Sequence, residues 1–380
     1  MVNSNTSALG IIFPNSYDAF IPDLVNVRLM ASVPFASRYR MIDFMLSSMV
    51  NCGIDNVTVM VNNNYLSLMD HLGSGREWDL VRKNGGLNIF PPFAEKSTKP
   101  YIGRVGALGN LLGFLKRQKE KYVVLTDANL AANFDFNAML DAHIASGADV
   151  TIAYREQELP AGFKRATDKT KGFYYTFRLD NGRITKIFVN PKDDGIQNFS
   201  INIYMIEREL LIKLVEEASV LGQEYFERDI LLPQLNKLNV QAYKYDGYMA
   251  YITSIKTYYD ENMKLLDDYN LDALFSRAPI YTKVRDDNPT RYIDGAKVKN
   301  AMVADGCIIE GEVENSILFR GVKVAKGAVV KNSILMQDTV VEAGANIDYL
   351  ITDKNVTITA GKEMKGTDSF PVYIAKSHTV

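Results

Sequence analysis

Three arginines, Arg28, Arg38 and Arg40, stand just ahead of an apolar stretch, MIDFMLSSMVNC, that Gly53 ends. A planar guanidinium holds phosphate or carboxylate oxygens through charge-assisted hydrogen bonds. A helix N-terminus behind such a loop adds free amides that favour an anion. The spacing predicts a site for a phosphorylated ligand. The competing readings are plain solvation and, for Arg40, an ion pair with Asp43. A second candidate is Asp127, which follows the apolar run Tyr122–Thr126. Its oxygens are of the kind a magnesium ion takes, but a strand end also calls for a backbone cap. A third cluster is His71 with the turn Gly73-Ser74-Gly75. Those glycines line a nucleotide-base pocket or simply close a helix.

Positioning these groups requires an alternating chain. Ala8–Phe13 reads as a buried strand, and helix 42–52 leads into strand 57–61. Helices at 65–72, 105–118 and 137–146 then separate strands at 122–126 and 150–154. This order predicts an α/β domain with a Rossmann-like, mostly parallel sheet and helices on both faces. A hairpin is expected from 173–179 and 183–189 around Asn181-Gly182. Strand 199–206, helix 209–218, strand 241–245 and helix 257–268 complete the domain. Residues 1–275 form this unit, and 276–290, with Pro279 and Pro289, read as a linker.

From 291 to 380 the texture changes. GAKVKNAMV, GEVENSIL, GAVVKNSIL and GANIDYLI are variants of one unit, and the tetrapeptide NSIL occurs at 315 and again at 332. Spacings of 15 to 17 residues approximate three hexapeptides per coil. This predicts a left-handed parallel β-helix with glycine and asparagine at its corners. Its face must be covered, by the first domain or by another chain.

The totals exclude several classes. With 380 residues, two domains are expected. A net charge of −2 gives no support for bulk nucleic-acid binding. No apolar run approaches the roughly 18 residues of a membrane span. Two cysteines make no disulfide framework, and a cytoplasmic protein is expected. The three histidines are scattered, so no metal site of the zinc kind is expected.

VPFASRYRMIDFMLSSMVNCGI (33–54), HLGSGREWDL (71–80), FSINIYMI (199–206), FERDILLP (226–233) and GYMAYITSIKTYYDENMKLL (247–266) together resemble bacterial ADP-glucose pyrophosphorylases, the glucose-1-phosphate adenylyltransferases. The resemblance spans nearly the whole chain. It implies a nucleotide-diphospho-sugar transferase domain followed by the β-helix. It also implies the conversion of ATP and glucose 1-phosphate to ADP-glucose for glycogen synthesis, tetramers, and control by phosphorylated metabolites.

The departures from that family fall on its chemistry. The family's glycine-rich phosphate loop is ALGIIFPNSYDAF here, with Gly10 its only glycine and no basic residue before Arg28. Gly10, Gly73 and Gly75 are then remnants of the nucleotide pocket. The lysine of the next motif is Met30. The first metal-binding aspartate aligns with Asn129, the second with Tyr251, and the sugar-phosphate lysine with Asn190. Losing one charged group of this kind costs about a hundred- to a thousandfold in rate. The pattern is similar to that of the family's D-type, GlgD-like subunit. The expectation is a chain with no catalytic residues and no cofactor of its own, regulating a catalytic subunit in a heterotetramer. Magnesium and ATP would act at that partner, and Arg28, Arg38 and Arg40 would hold a phosphorylated-sugar effector. The alternatives are an active nucleotidyltransferase with its metal displaced onto Asp127, a ligand-free scaffold, and an acyltransferase. The last is disfavoured because the β-helix holds only His378.

Overall fold

The computed structural model describes residues 8–15, 17–91, 102–160, 163 and 173–380. The first lobe is built on a nine-stranded sheet. Its strands are β1 (Ala8–Phe13), β2 (Asn56–Met60), β3 (Gly86–Phe90), β4 (Tyr122–Asp127), β5 (Val150–Glu158), β6 (Tyr175–Asp180), β7 (Arg183–Val189), β8 (Ile196–Glu207) and β9 (Val240–Lys244). They lie in the order β3-β2-β1-β4-β8-β5-β9-β7-β6. Only β7 and β8 run against the rest. The expected Rossmann-like character therefore holds, with a reversed strand in the middle of the sheet.

Side-chain alternation sorts the strands between two cores. Leu9, Ile11 and Phe13 of β1 face one layer with Val123 and Leu125 of β4. Ile12 and Val124 face the other. Helices α1 (Met41–Asn51) and α3 (Phe136–Ala145) cover the second face, and α2 (Gly103–Leu115) and α4 (Arg208–Val220) the first. Gly10 belongs to this packing and not to a nucleotide pocket. A Cβ there would lie 2.5 Å from Met49 Sδ, so the missing side chain lets α1 settle on β1.

Residues 276–290 contain no helix or strand, yet they are pinned to α1. The Pro279 carbonyl accepts from Asn51 Nδ2 at 2.8 Å, and the Tyr281 amide donates to Ser47 Oγ at 2.9 Å. Beyond them, successive coils stack in parallel, Lys297–Val303 on Glu312–Leu318 and that strand on Val329–Lys331 and Ile334–Leu335. The NSIL repeat is legible atom by atom. Asn315 and Asn332 turn a corner at φ 46° and 44°, a left-handed conformation that asparagine tolerates. Ser316 Oγ accepts the amide of Ser333 at 3.1 Å, and Ser333 Oγ that of Leu350 at 3.1 Å. Ile317 and Ile334 point into the first lobe's core, whereas Leu318 and Leu335 fill the prism. The solenoid face is thus covered from within the chain. Tyr258 Oη donates to the Pro34 carbonyl and Tyr259 Oη to the Asn332 carbonyl, each at 2.7 Å. Both tyrosines belong to α5 (Ile255–Met263), the helix wedged between the lobes. Among the described residues no helix is long and apolar enough to cross a membrane.

Candidate functional site

Two clefts gather some of the residues singled out above, Asp127 in one and Arg38, Arg40 and His71 in the other. The first opens at the C-terminal end of β4. Asp127 is fully buried there, and its two oxygens accept from neighbouring side chains. Nη2 of Arg104 donates to both of its oxygens at 2.7 Å. Arg104 is the second residue of α2. Gly103 begins that helix at φ 62°, where a Cβ would collide with the Glu224 carbonyl. Nη1 of Arg104 pairs with Glu227, which a π-type turn, Phe226–Leu231, carries inward. The flat guanidinium also lies over the rings of Phe13 and Tyr204, at 5.5 and 5.2 Å.

Asn202 completes the cluster. It sits where the pairing of β8 with β5 slips, at φ 57°, a bulge of the kind that re-aims a side chain. Its Nδ2 donates to Asp127 Oδ2 at 2.9 Å and to Tyr17 Oη at 2.6 Å. Tyr204 Oη lies 2.6 Å from Glu227 Oε1 and 3.1 Å from Asn202 Oδ1. Burial, and then the charge of Asp127, raises the Tyr17 phenol well above its ordinary value. The Tyr204 phenol is raised by burial and by Glu227. Both therefore stay neutral donors. Among the described residues, one guanidinium faces two carboxylates.

Of the positions expected to have lost chemistry, Tyr251 stands beside this floor, its Oη 3.5 Å from Asn202 Nδ2. Tyr251 pairs with Leu130 in a ribbon formed by Met249–Tyr251 and Leu130–Ala132, which brings it next to Asn129. Asn129 spends its backbone carbonyl and its amide on Ile252. The Tyr251 ring meets Phe199 edge-on at 5.3 Å and Tyr17 at 6.4 Å, and Phe163 stacks on Tyr174 at 4.6 Å. Aromatic rings thus pack closely beside Tyr251. Asn190 closes a turn, with its Oδ1 accepting the Tyr174 amide at 2.9 Å. Met30 is buried in the core. Among the described residues no group of three histidine, cysteine, aspartate or glutamate side chains is placed to hold a metal. A magnesium nucleotide does not fit this donor set, because Arg104 and Asn202 already occupy the Asp127 oxygens.

The second cleft, of about 400 Å³, lies between the lobes. Arg38 and Arg40 reach it from the loop before α1, Lys283 and Arg285 from the linking segment, and Arg320 and Lys354 from the β-helix. Among the described residues Asp70 is the one acidic lining residue, and Lys283 lies 3.1 Å from it. Arg40 does not pair with the Asp43 carboxylate through its side chain. Its amide donates to Asp43 Oδ2 at 2.9 Å, while Nη1 donates to the Ser67 carbonyl and Oγ at 2.6 and 3.0 Å. The exposed Arg38 rests over the Tyr39 ring. His71 lies 2.5 Å from Asp43 Oδ1, and burial lowers its pKa below the ordinary histidine value despite that contact. Burial and neighbouring arginines also push the Arg40 and Arg320 guanidiniums down. An anion in the cleft relieves that crowding.

Arg28 is corrected by this geometry. It is 2% exposed and takes no part in the cleft. Its Nη2 donates to Asp353 Oδ1 and Oδ2 at 2.7 and 2.9 Å, a buried clamp between lobes. Gly73 and Gly75 line neither cleft. Gly73 caps helix Leu66–Leu72, and a Cβ on Gly75 would lie 2.9 Å from Leu87 Cβ. Arg104, Asn202 and Glu227 escaped sequence reasoning. The one signal was an arginine directly after a glycine that opens a helix.

Comparison with known proteins agrees with this architecture. Residues 25–268 match the family described as nucleotidyl transferase, and 284–369 the GlmU-like C-terminal hexapeptide family. The chain is 35% identical, over 98% of its length and 96% of the relative's, to "Glycogen biosynthesis protein GlgD" of Bacillus subtilis (strain 168). It is 38% identical to the protein of the same name from Geobacillus stearothermophilus, over 86% of this chain and 83% of that one. It is 33% identical to "Glucose-1-phosphate adenylyltransferase" of Geobacillus stearothermophilus, over 79% and 77%.

Proposed function

Because this chain belongs to the nucleotidyl transferase family and, within it, to the GlgD glycogen biosynthesis proteins, we propose that it is a non-catalytic, cytoplasmic subunit of an ADP-glucose-forming assembly. Its partner is a catalytic glucose-1-phosphate adenylyltransferase subunit, which supplies the magnesium and ATP site. The observation that carries this reading is the Arg104 guanidinium closed on Asp127 and Glu227. An internal cation stands there against the carboxylates, and the positions beside it hold an asparagine and tyrosines.

The interdomain cleft is the regulatory site in this reading. Arg38, Arg40, Arg320 and Lys354 bind a phosphorylated sugar where both lobes meet. A ligand touching both lobes shifts the balance of lobe arrangements, and the partner senses that shift. The test is co-expression with a catalytic subunit from the same source. Expected are a mixed oligomer and an altered response of its ADP-glucose synthesis to phosphorylated sugars. Two proteins that elute separately, with the catalytic subunit's kinetics unchanged, overturn the proposal.

A further inference from the structure

We infer that an anion entering the interdomain cleft brings about the uptake of a proton by Lys354, so that occupancy of the cleft is linked to pH. This rests on the anion-cleft reading above and adds to it a regulatory coupling. Lys354 lies on the β-helix turn that faces the first lobe and lines the cleft with Arg40 and Arg320. The groups around it are mostly cationic. Arg28 and Arg40 face it from the first lobe, and Lys376 from the last coil.

The nearest carboxylate, Asp353, is already saturated. It accepts from Arg28 Nη2 on both oxygens, from Tyr373 Oη at 2.7 Å, and from the backbone amide of Lys354 itself at 2.6 Å. No salt bridge to the Lys354 ammonium is formed among the described residues. Burial, then the charges of Arg40 and Arg28, push that ammonium down to about 7. Near neutral pH the side chain is therefore divided between amine and ammonium. A bound anion supplies the missing countercharge, and the amine takes its proton from solvent. His71, the other titratable lining group near neutrality, is shifted to lower pH, so it stays neutral through the alkaline range.

The probe is sulfate, which does not titrate in this range, so all proton uptake belongs to the protein. Calorimetric titration of the full chain in two buffers of different ionisation enthalpy should show uptake of about half a proton per sulfate near pH 7. The dissociation constant should rise towards about tenfold per pH unit from about pH 7.5 to 9. Lys354→Arg should keep sulfate binding and lose both effects, because arginine stays charged. Lys354→Met should bind more weakly and without pH dependence, which serves if the arginine variant misfolds. Sulfate binding without proton uptake, or uptake that persists in both variants, overturns this inference and leaves the anion site standing. Sulfate failing to bind at any pH overturns the anion-site reading itself.

Discussion

Nη2 of Arg104 stands 2.7 Å from each carboxylate oxygen of Asp127, at the C-terminal end of β4. The pair is buried and shares its arginine with Glu227. A buried ion pair is not by itself strongly stabilising, but removing one partner strands the other's charge.

Arg104→Met should therefore cost about 3–5 kcal/mol, read as a fall in the urea midpoint. Adding Asp127→Asn and Glu227→Gln to it should recover most of that loss, because no charge is then left uncompensated. Equal instability of the single and triple variants would show that packing, not charge, governs the site.

The arginines ahead of α1 should separate into two behaviours. Arg28→Ala leaves Asp353 buried without its cation and should lower the melting temperature, at a cost of about 3–5 kcal/mol. Arg38→Ala should leave the melting temperature within about a degree, since an exposed surface change costs within about 0.5 kcal/mol, and weaken binding of phosphorylated sugars. Thermal-shift titration reads both quantities. Identical behaviour of the two variants contradicts the separation.

Asp18 gives a pH signature of its own. Burial raises its carboxyl to about 8, and the Met30 amide offsets this in part. The folded chain then holds a proton that the unfolded chain has released. That contribution is full below the ordinary aspartate range, near pH 4, and is lost as pH rises to about 8. Asp18→Asn should flatten the decline in urea midpoint between pH 5 and 8, an interval chosen from this window. A wild-type and a variant curve of the same slope contradict it.

The corner asparagines should matter more than their exposure suggests. Asn332→Ala forces alanine to φ 44° and removes the hydrogen bond to Asp348 Oδ1. The expected loss is about 1–2 kcal/mol by urea unfolding. Asn332→Gly should cost less, and the reverse order contradicts the left-handed corner as the cause.

What the sequence revealed, and what it hid, follows from distance along the chain. The β-helix was legible because NSIL repeats locally, and each of its four letters has one fixed environment. Asn129, Tyr251 and Asn190 stand out in the sequence only against the segments of the family that the chain resembles. The cluster around Asp127 was not legible, because its members come from α2, β8 and a π-type turn. Spacing within the chain carries no sign that positions 104, 127, 202 and 227 share one cavity. Arg28 misled for the same reason. Its basic character was visible, and its partner Asp353 lies 325 residues away.

The most direct test is ADP-glucose formation from ATP and glucose 1-phosphate by the purified chain, alone and then mixed with a catalytic subunit. The account predicts no turnover above background from the chain alone, with or without magnesium, and a changed rate or effector response in the mixture. Turnover by the isolated chain at a rate comparable to that of a catalytic subunit would contradict it.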